Sequence, residues 1–77
     1  MIVEKMITNK NDLEQAVREE LRNSQMSVYK LANKTDVSKT YIHDIITENR
    51  KPSLEILMKI AERFNIKYLI TNMREKI

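Results

Sequence analysis

The chain has 77 residues and a formal net charge of +3, from 14 basic and 11 acidic side chains. That length allows one small domain, and the absence of Cys excludes disulfides and thiolate metal sites and favours a cytoplasmic location. No apolar run is long enough to span a membrane and no signal-peptide pattern is present, so we expect no membrane partner.

The composition and the apolar spacing predict an all-α domain. The chain contains no Gly and one Pro, with Leu, Ile, Lys and Glu abundant, a mixture that favours helices over strands. We expect a short N-terminal arm over residues 1–10, which packs either on the domain or across a dimer, and one domain over 11–77. Within that domain we predict five helices, at about 12–23, 28–34, 39–47, 54–64 and 67–75.

Polar residues mark the predicted helix ends. Asn11, Ser27, Ser38 and Ser53 each precede an apolar-periodic segment, where their side chains can accept from an unpaired backbone N–H. Because the chain has no Gly for left-handed helix ends, Asn and Asp are the next best residues there. We expect Asp36, Asn49 and Asn65 to fill those positions.

The third predicted helix, within "VSKTYIHDIIT", has two chemically distinct sides. At about 100° per residue, its polar side chains fall within an arc of about 140° and its three isoleucines lie on the opposite side. Such a helix packs one side in the core and presents hydrogen-bonding groups on the other, as a helix in the DNA major groove must. A purely solvated polar face is the alternative on this helix alone.

The order of the second helix, a turn of about three residues and the third helix is that of a helix-turn-helix motif, here over about 28–47. The segment from Met26 to Ile66 resembles the lambda-repressor/Cro-like helix-turn-helix domain, also called the Xre family. The matching positions, all at the family's spacing, are Met26-Ser27, Leu31-Ala32, Val37-Ser38, Ile42, Ile45, Arg50-Lys51-Pro52-Ser53, Leu57, Ile60-Ala61 and Phe64.

This resemblance implies a five-helix bundle that binds a palindromic operator in double-stranded DNA as a homodimer, as a repressor-like, phage-type transcriptional regulator. The third helix would be the recognition helix. Base contacts would come from Lys39, Thr40, His43 and Asp44, and phosphate contacts from Ser27, Tyr41, Thr47, Asn49, Arg50 and Lys51.

Two of these residues have alternative roles. Asp44 could accept from a cytosine amino group, or it could pair with a basic neighbour and orient it. The Tyr41 hydroxyl could reach a phosphate, or the ring could simply pack at the edge of the core.

The chain departs from the family pattern at four places. Val28 stands where the family often has a phosphate-binding Gln. Asp36 and Glu48 stand where Gly is usual. Asp36 tolerates the turn, whereas Glu48 is less suited to it, so we expect the bend there to move to Asn49. The family often pairs a buried Arg on the first helix with a Glu on the third; those positions are Leu21 and Ile46, and we predict that they contact each other.

Apolar residues beyond the motif leave two roles open. Tyr68, Ile70, Met73 and Ile77 supply more apolar surface than a small core needs, so they predict either a dimer surface or packing of the tail on the core.

A second hypothesis keeps the fold and makes the chain an antitoxin or adaptor, whose main partner is a protein such as a toxin or antirepressor. We expect no enzyme activity and no cofactor, because no phosphate-binding loop, metal cluster or nucleophile–base set is visible.

Overall fold

The computed structural model describes residues 7–69, and within this range the secondary structure is entirely helical. The four α-helices are α1 (Lys10–Asn23), α2 (Val28–Thr35), α3 (Lys39–Ile46) and α4 (Leu54–Arg63). The all-helical prediction is confirmed, and the bounds of the first four predicted helices each lie within two residues of those observed. A count of five helices is not confirmed.

Each helix begins at a residue whose side chain accepts a hydrogen bond from the backbone three residues later. Ser27, Ser38 and Ser53 do this for α2, α3 and α4, at 3.2, 3.2 and 3.3 Å, which confirms the three predicted serine caps. The cap of α1 is Asn9 rather than the predicted Asn11, so α1 begins earlier than expected. Each such cap contributes about 1 kcal/mol to stability.

The core lies where the four helices meet. Its fully buried members come from every helix and include Leu13 and Val17 of α1, Leu31 of α2, Ile42 and Ile45 of α3, and Leu57 and Ile60 of α4. Leu21 belongs to this core and Ile46 packs against it. Both apolar replacements of the family's charged pair thus lie in one cluster, while their direct contact stays a prediction.

Helices α3 and α4 end in left-handed residues with the same backbone pattern. Glu48 has a φ of 63°, and the Asn49 amide donates to the carbonyl of Asp44. Asn65 has a φ of 60°, and the amide of the next residue, Ile66, donates to the carbonyl of Ala61. The predictions for Asn65 and for Asp36, which has a φ of 61°, are confirmed.

The prediction that the bend moves to Asn49 is wrong, because Glu48 adopts the left-handed conformation itself. Two bonds hold it there: its amide donates to Ile45 at 3.2 Å, and its carboxylate lies 3.2 Å from Arg22 of α1. Gln25, which ends the turn after α1, is a further left-handed residue that sequence reasoning missed.

Two arginines of α1 hold the carboxyl end of α3. The Arg18 Nε donates to the Ile45 carbonyl at 2.9 Å, and its Nη2 lies 2.7 Å from Glu14. The Arg22 Nη2 donates to the Ile46 carbonyl at 2.7 Å. The first and third helices are therefore still joined through arginine, but the acceptors are backbone carbonyls.

The two ends of the described range meet. The Leu69 amide donates to the Ile7 carbonyl at 2.8 Å, and the Ile7 side chain is buried in the core. Residues 67–69 are not helical, so the fifth helix does not begin where it was predicted, and its remainder lies outside the described residues.

Candidate nucleic-acid interface

The turn between α2 and α3 sets the direction of α3. Asp36 ends α2 in the left-handed conformation, with its amide donating to the Ala32 carbonyl at 2.7 Å. Val37 is buried and Ser38 then caps α3. An ion pair of 3.6 Å between Asp36 and Lys59 joins this turn to α4. Because the turn packs on the core, α3 has one fixed orientation relative to α2.

The two sides of α3 separate as the sequence predicts. Ile42 and Ile45 have no exposed surface, whereas Lys39, Thr40 and His43 are exposed on the outer side. These three side chains therefore share one accessible face of the helix. Whether they contact bases stays a prediction.

Asp44, the fourth predicted base-contacting residue, is engaged within the protein. Its Oδ2 lies 3.2 Å from the Arg50 Nε, and its side chain is only 20% exposed. Its Oδ1 lies 3.9 Å from His43 Nδ1, which is too long for a hydrogen bond. Of the two alternatives for Asp44, the geometry fits pairing with a basic neighbour.

Arg50 is the centre of a network that we call the loop anchor, formed by Asp44, Arg50 and Tyr41. Its guanidinium stands 4.7 Å from the centroid of the Tyr41 ring while it pairs with Asp44. The Tyr41 hydroxyl accepts from the Ser53 amide at 3.2 Å. The loop between α3 and α4 is thus fastened to α3 by three side chains.

The other predicted phosphate-contacting residues lie around the ends of the motif. Ser27 caps α2, and the Thr47 hydroxyl donates to the His43 carbonyl at 2.9 Å. Asn49 and Lys51 are exposed in the loop. Val28 is half-buried against the core and offers no side-chain donor, so it cannot replace the family's phosphate-binding Gln.

On this surface, within the part of the chain that the structure describes, the acidic side chains are paired, whereas two lysines are not. The acidic groups Asp44 and Glu48 are each paired with an arginine, Arg50 and Arg22 respectively. Among residues 7–69, by contrast, neither Lys39 nor Lys51 has an acidic partner within ion-pair distance. The surface therefore offers unpaired positive charge at the start of α3 and in the following loop.

Tyr29 is a residue of this surface that sequence reasoning missed. It lies in the first turn of α2 with 67% of its surface exposed, and the Lys39 Nζ stands 3.9 Å from the centroid of its ring. A signal was present in the sequence, because Tyr29 is an aromatic residue outside the apolar stripe formed by Val28, Leu31 and Ala32.

The predicted dimer surface is described only in part. Tyr68 is half-buried and packs against the core, while Leu69 beside it is 58% exposed. Burial raises the pKa of the Tyr68 hydroxyl above its ordinary value of 10.0, and the nearby charge of Glu62 raises it further. The other predicted members, Ile70, Met73 and Ile77, lie outside the described residues.

Comparison with known proteins decides the family. A family model described as helix-turn-helix matches residues 15–69, which is most of the chain. The chain belongs to the Xre/lambda-repressor-like helix-turn-helix family. The search of curated proteins and the search of solved structures found no significant match.

Membership in this family supports a role as a DNA-binding transcription regulator. The match includes α2, α3 and the loop anchor, and thus all the described residues predicted to contact DNA. The family is regulatory and generally non-enzymatic. Among the helices of residues 7–69, none has the length and apolar character needed to cross a membrane.

Proposed function

We propose that the protein is a sequence-specific repressor that binds a two-fold operator as a dimer, with α3 in the major groove. The observation that carries the proposal is the division of α3 into an apolar side, on which Ile42 and Ile45 are fully buried, and an exposed polar side. A helix fixed in this way can bring side-chain donors to base edges without rearrangement.

Lys39, Thr40 and His43 are the proposed base-contacting residues. Lys39 can donate to the O6 and N7 acceptors of guanine, and Thr40 can donate to or accept from a base. His43 is exposed one turn after Lys39 and can reach the neighbouring base pair. We place Ser27, Tyr41, Asn49, Arg50 and Lys51 on phosphates, where they fix register but do not read sequence. Thr47 joins them only when its hydroxyl leaves the His43 carbonyl, to which it donates in the free protein.

We assign Asp44 to orienting Arg50. Its carboxylate is already paired with that arginine, and a free carboxylate would be repelled by phosphates. In an Asp44→Ala variant, the preferred operator should remain the same although affinity changes. Loss of discrimination at a single base pair would instead assign Asp44 to base contact.

Selection of bound sequences from a random duplex pool tests the base contacts. We expect enrichment of a palindrome whose half-sites lie about one helical turn apart. The Lys39→Ala/Thr40→Ala variant should lose this enrichment. Lys67→Ala, which removes an exposed positive charge beyond α4, is the control and should keep it. No enrichment by the wild-type chain at low salt would refute the proposal.

The salt dependence of binding tests the phosphate contacts. Lys51→Ala should reduce the slope of log K against log salt by about one per bound chain, and thus by about two for the dimer, because each lost phosphate contact releases one counterion fewer. Lys67→Ala again serves as the charge-matched control, with an unchanged slope. An unchanged slope in both variants would remove Lys51 from the interface.

The dimer and the sign of regulation need separate tests. We propose that Tyr68, Ile70, Met73 and Ile77 form the dimer surface, so Met73→Asp/Ile77→Asp should shift sedimentation of the protein–operator complex from two chains per duplex to one.

Placing the enriched operator across a promoter should lower reporter expression, because the bound protein excludes polymerase. Increased expression would contradict repression.

A further inference from the structure

The start of α3 carries a cation in a place that the helix itself disfavours. Lys39 is the first residue of α3, and the positive end of the helix dipole repels an ammonium there. No acidic group among residues 7–69 pairs with it. Some other neighbouring group must therefore offset the repulsion from the helix dipole if the Lys39 side chain is to keep one position.

The Tyr29 ring provides that compensation. The face of an aromatic ring carries negative charge density, and the Lys39 Nζ stands 3.9 Å from the Tyr29 centroid. At an exposed site, this attraction favours the docked rotamer by about two- to fivefold. Tyr29 belongs to α2 and Lys39 to α3, so the contact bridges the two helices of the motif.

The docked ammonium remains able to bind DNA. A lysine has three N–H donors, and the ring covers only one side of the ammonium. The remaining donors are available on the side away from the ring. A lysine that is already ordered also loses less conformational freedom on binding, which increases affinity without any new contact.

We propose that Tyr29 is a positioning residue that holds Lys39 for contact with an acceptor-rich base edge, such as guanine O6 and N7. This inference rests on the proposed operator binding and adds a specificity-determining residue to it. Tyr29 acts through Lys39, and its ring is the required part because the ammonium lies over the ring.

Substitutions at Tyr29 separate the ring from the hydroxyl. Tyr29→Phe keeps the ring face and should bind the enriched operator within twofold of the wild type. Tyr29→Leu keeps an apolar side chain but removes the ring, and should weaken binding by about two- to fivefold per bound chain. In a Lys39→Ala background, Tyr29→Leu should have no further effect. Thermal melting of each variant controls for folding.

Two results would overturn the proposal. If Tyr29→Leu weakens binding equally with and without Lys39, Tyr29 touches DNA by itself. If Tyr29→Leu binds as the wild type does while Lys39→Ala does not, Lys39 needs no positioning.

A measurement on the free protein separates this proposal from operator binding. The ring should shift the NMR signals of the Lys39 ε-methylene upfield, and Tyr29→Leu should abolish that shift. Absence of the shift in the wild-type chain refutes the positioning alone. Failure of every duplex to bind refutes both proposals, even where the shift is present.

Discussion

The ion pair between Arg18 and Glu14 allows a quantitative test of how α1 supports α3. Both side chains are nearly buried, 11% and 12% exposed, and Arg18 also donates to the Ile45 carbonyl. Arg18→Met keeps the apolar stem but leaves the Glu14 carboxylate buried without its partner. Removing one member of a buried pair costs about 3–5 kcal/mol. We expect a loss of about 3 kcal/mol, at the lower end, because both side chains keep a small exposed fraction.

Removing both charges should cost less than the sum of the single losses. In the Glu14→Met/Arg18→Met variant no charge is stranded, and only the bond to the Ile45 carbonyl is missing. That carbonyl still accepts from the Glu48 amide at 3.2 Å, so the double variant should lose about 1 kcal/mol. Glu14→Met alone should lose only about 2 kcal/mol, because the Arg18 guanidinium keeps the Ile45 carbonyl as a partner, and the coupling energy is then about 4 kcal/mol.

Urea unfolding measures these differences. With an m-value of about 1 kcal/mol/M, Arg18→Met should lower the urea midpoint by about 3 M. Lys10→Met, at an exposed position on the same helix, is the matched control and should change stability by less than about 0.5 kcal/mol. Losses that simply add in the double variant would show that the two side chains act independently.

Three further predictions concern helix ends and the chain after α4. Glu48→Gly should be more stable than Glu48→Ala by about 1 kcal/mol in urea unfolding, because the left-handed conformation penalises a Cβ. Ser38→Ala should lose about 1 kcal/mol in the same assay, since the Tyr41 amide loses its acceptor. Because the pKa of Tyr68 is raised in the folded state, the unfolded chain releases its proton first as pH rises. Stability should therefore fall above pH 10.0, and Tyr68→Phe should reduce that fall in thermal melts across pH.

Local rules were sufficient for the helix-turn-helix. The caps at Ser27, Ser38 and Ser53 follow from residue type and from the apolar periodicity after each serine. The buried side of α3 follows from the spacing of Ile42 and Ile45. These features depend on residues only a few positions apart, so the sequence contains the information directly.

Contacts between distant segments could not be predicted in the same way. Propensity alone favoured Asn49 over Glu48 as the left-handed residue, because Asn tolerates that conformation better. The pairing with Arg22, 26 positions away, stabilises Glu48 there. The cap of α1 was misplaced for a different reason: Asn9 and Asn11 have equal propensity, and the observed choice places Asp12 where its amide can donate to Asn9.

The structure of α3 joins stability to recognition. Ser38 fixes its amino end, Arg18 and Arg22 hold its carboxyl end, and Ile42 and Ile45 are fully buried between these points. A helix fastened at both ends and along one side presents its outer residues in a fixed direction, which lowers the ordering cost of binding. Substitution of Arg18, on α1 and bonded to the inner end of α3, should therefore weaken operator binding although α3 keeps every proposed base-contacting side chain.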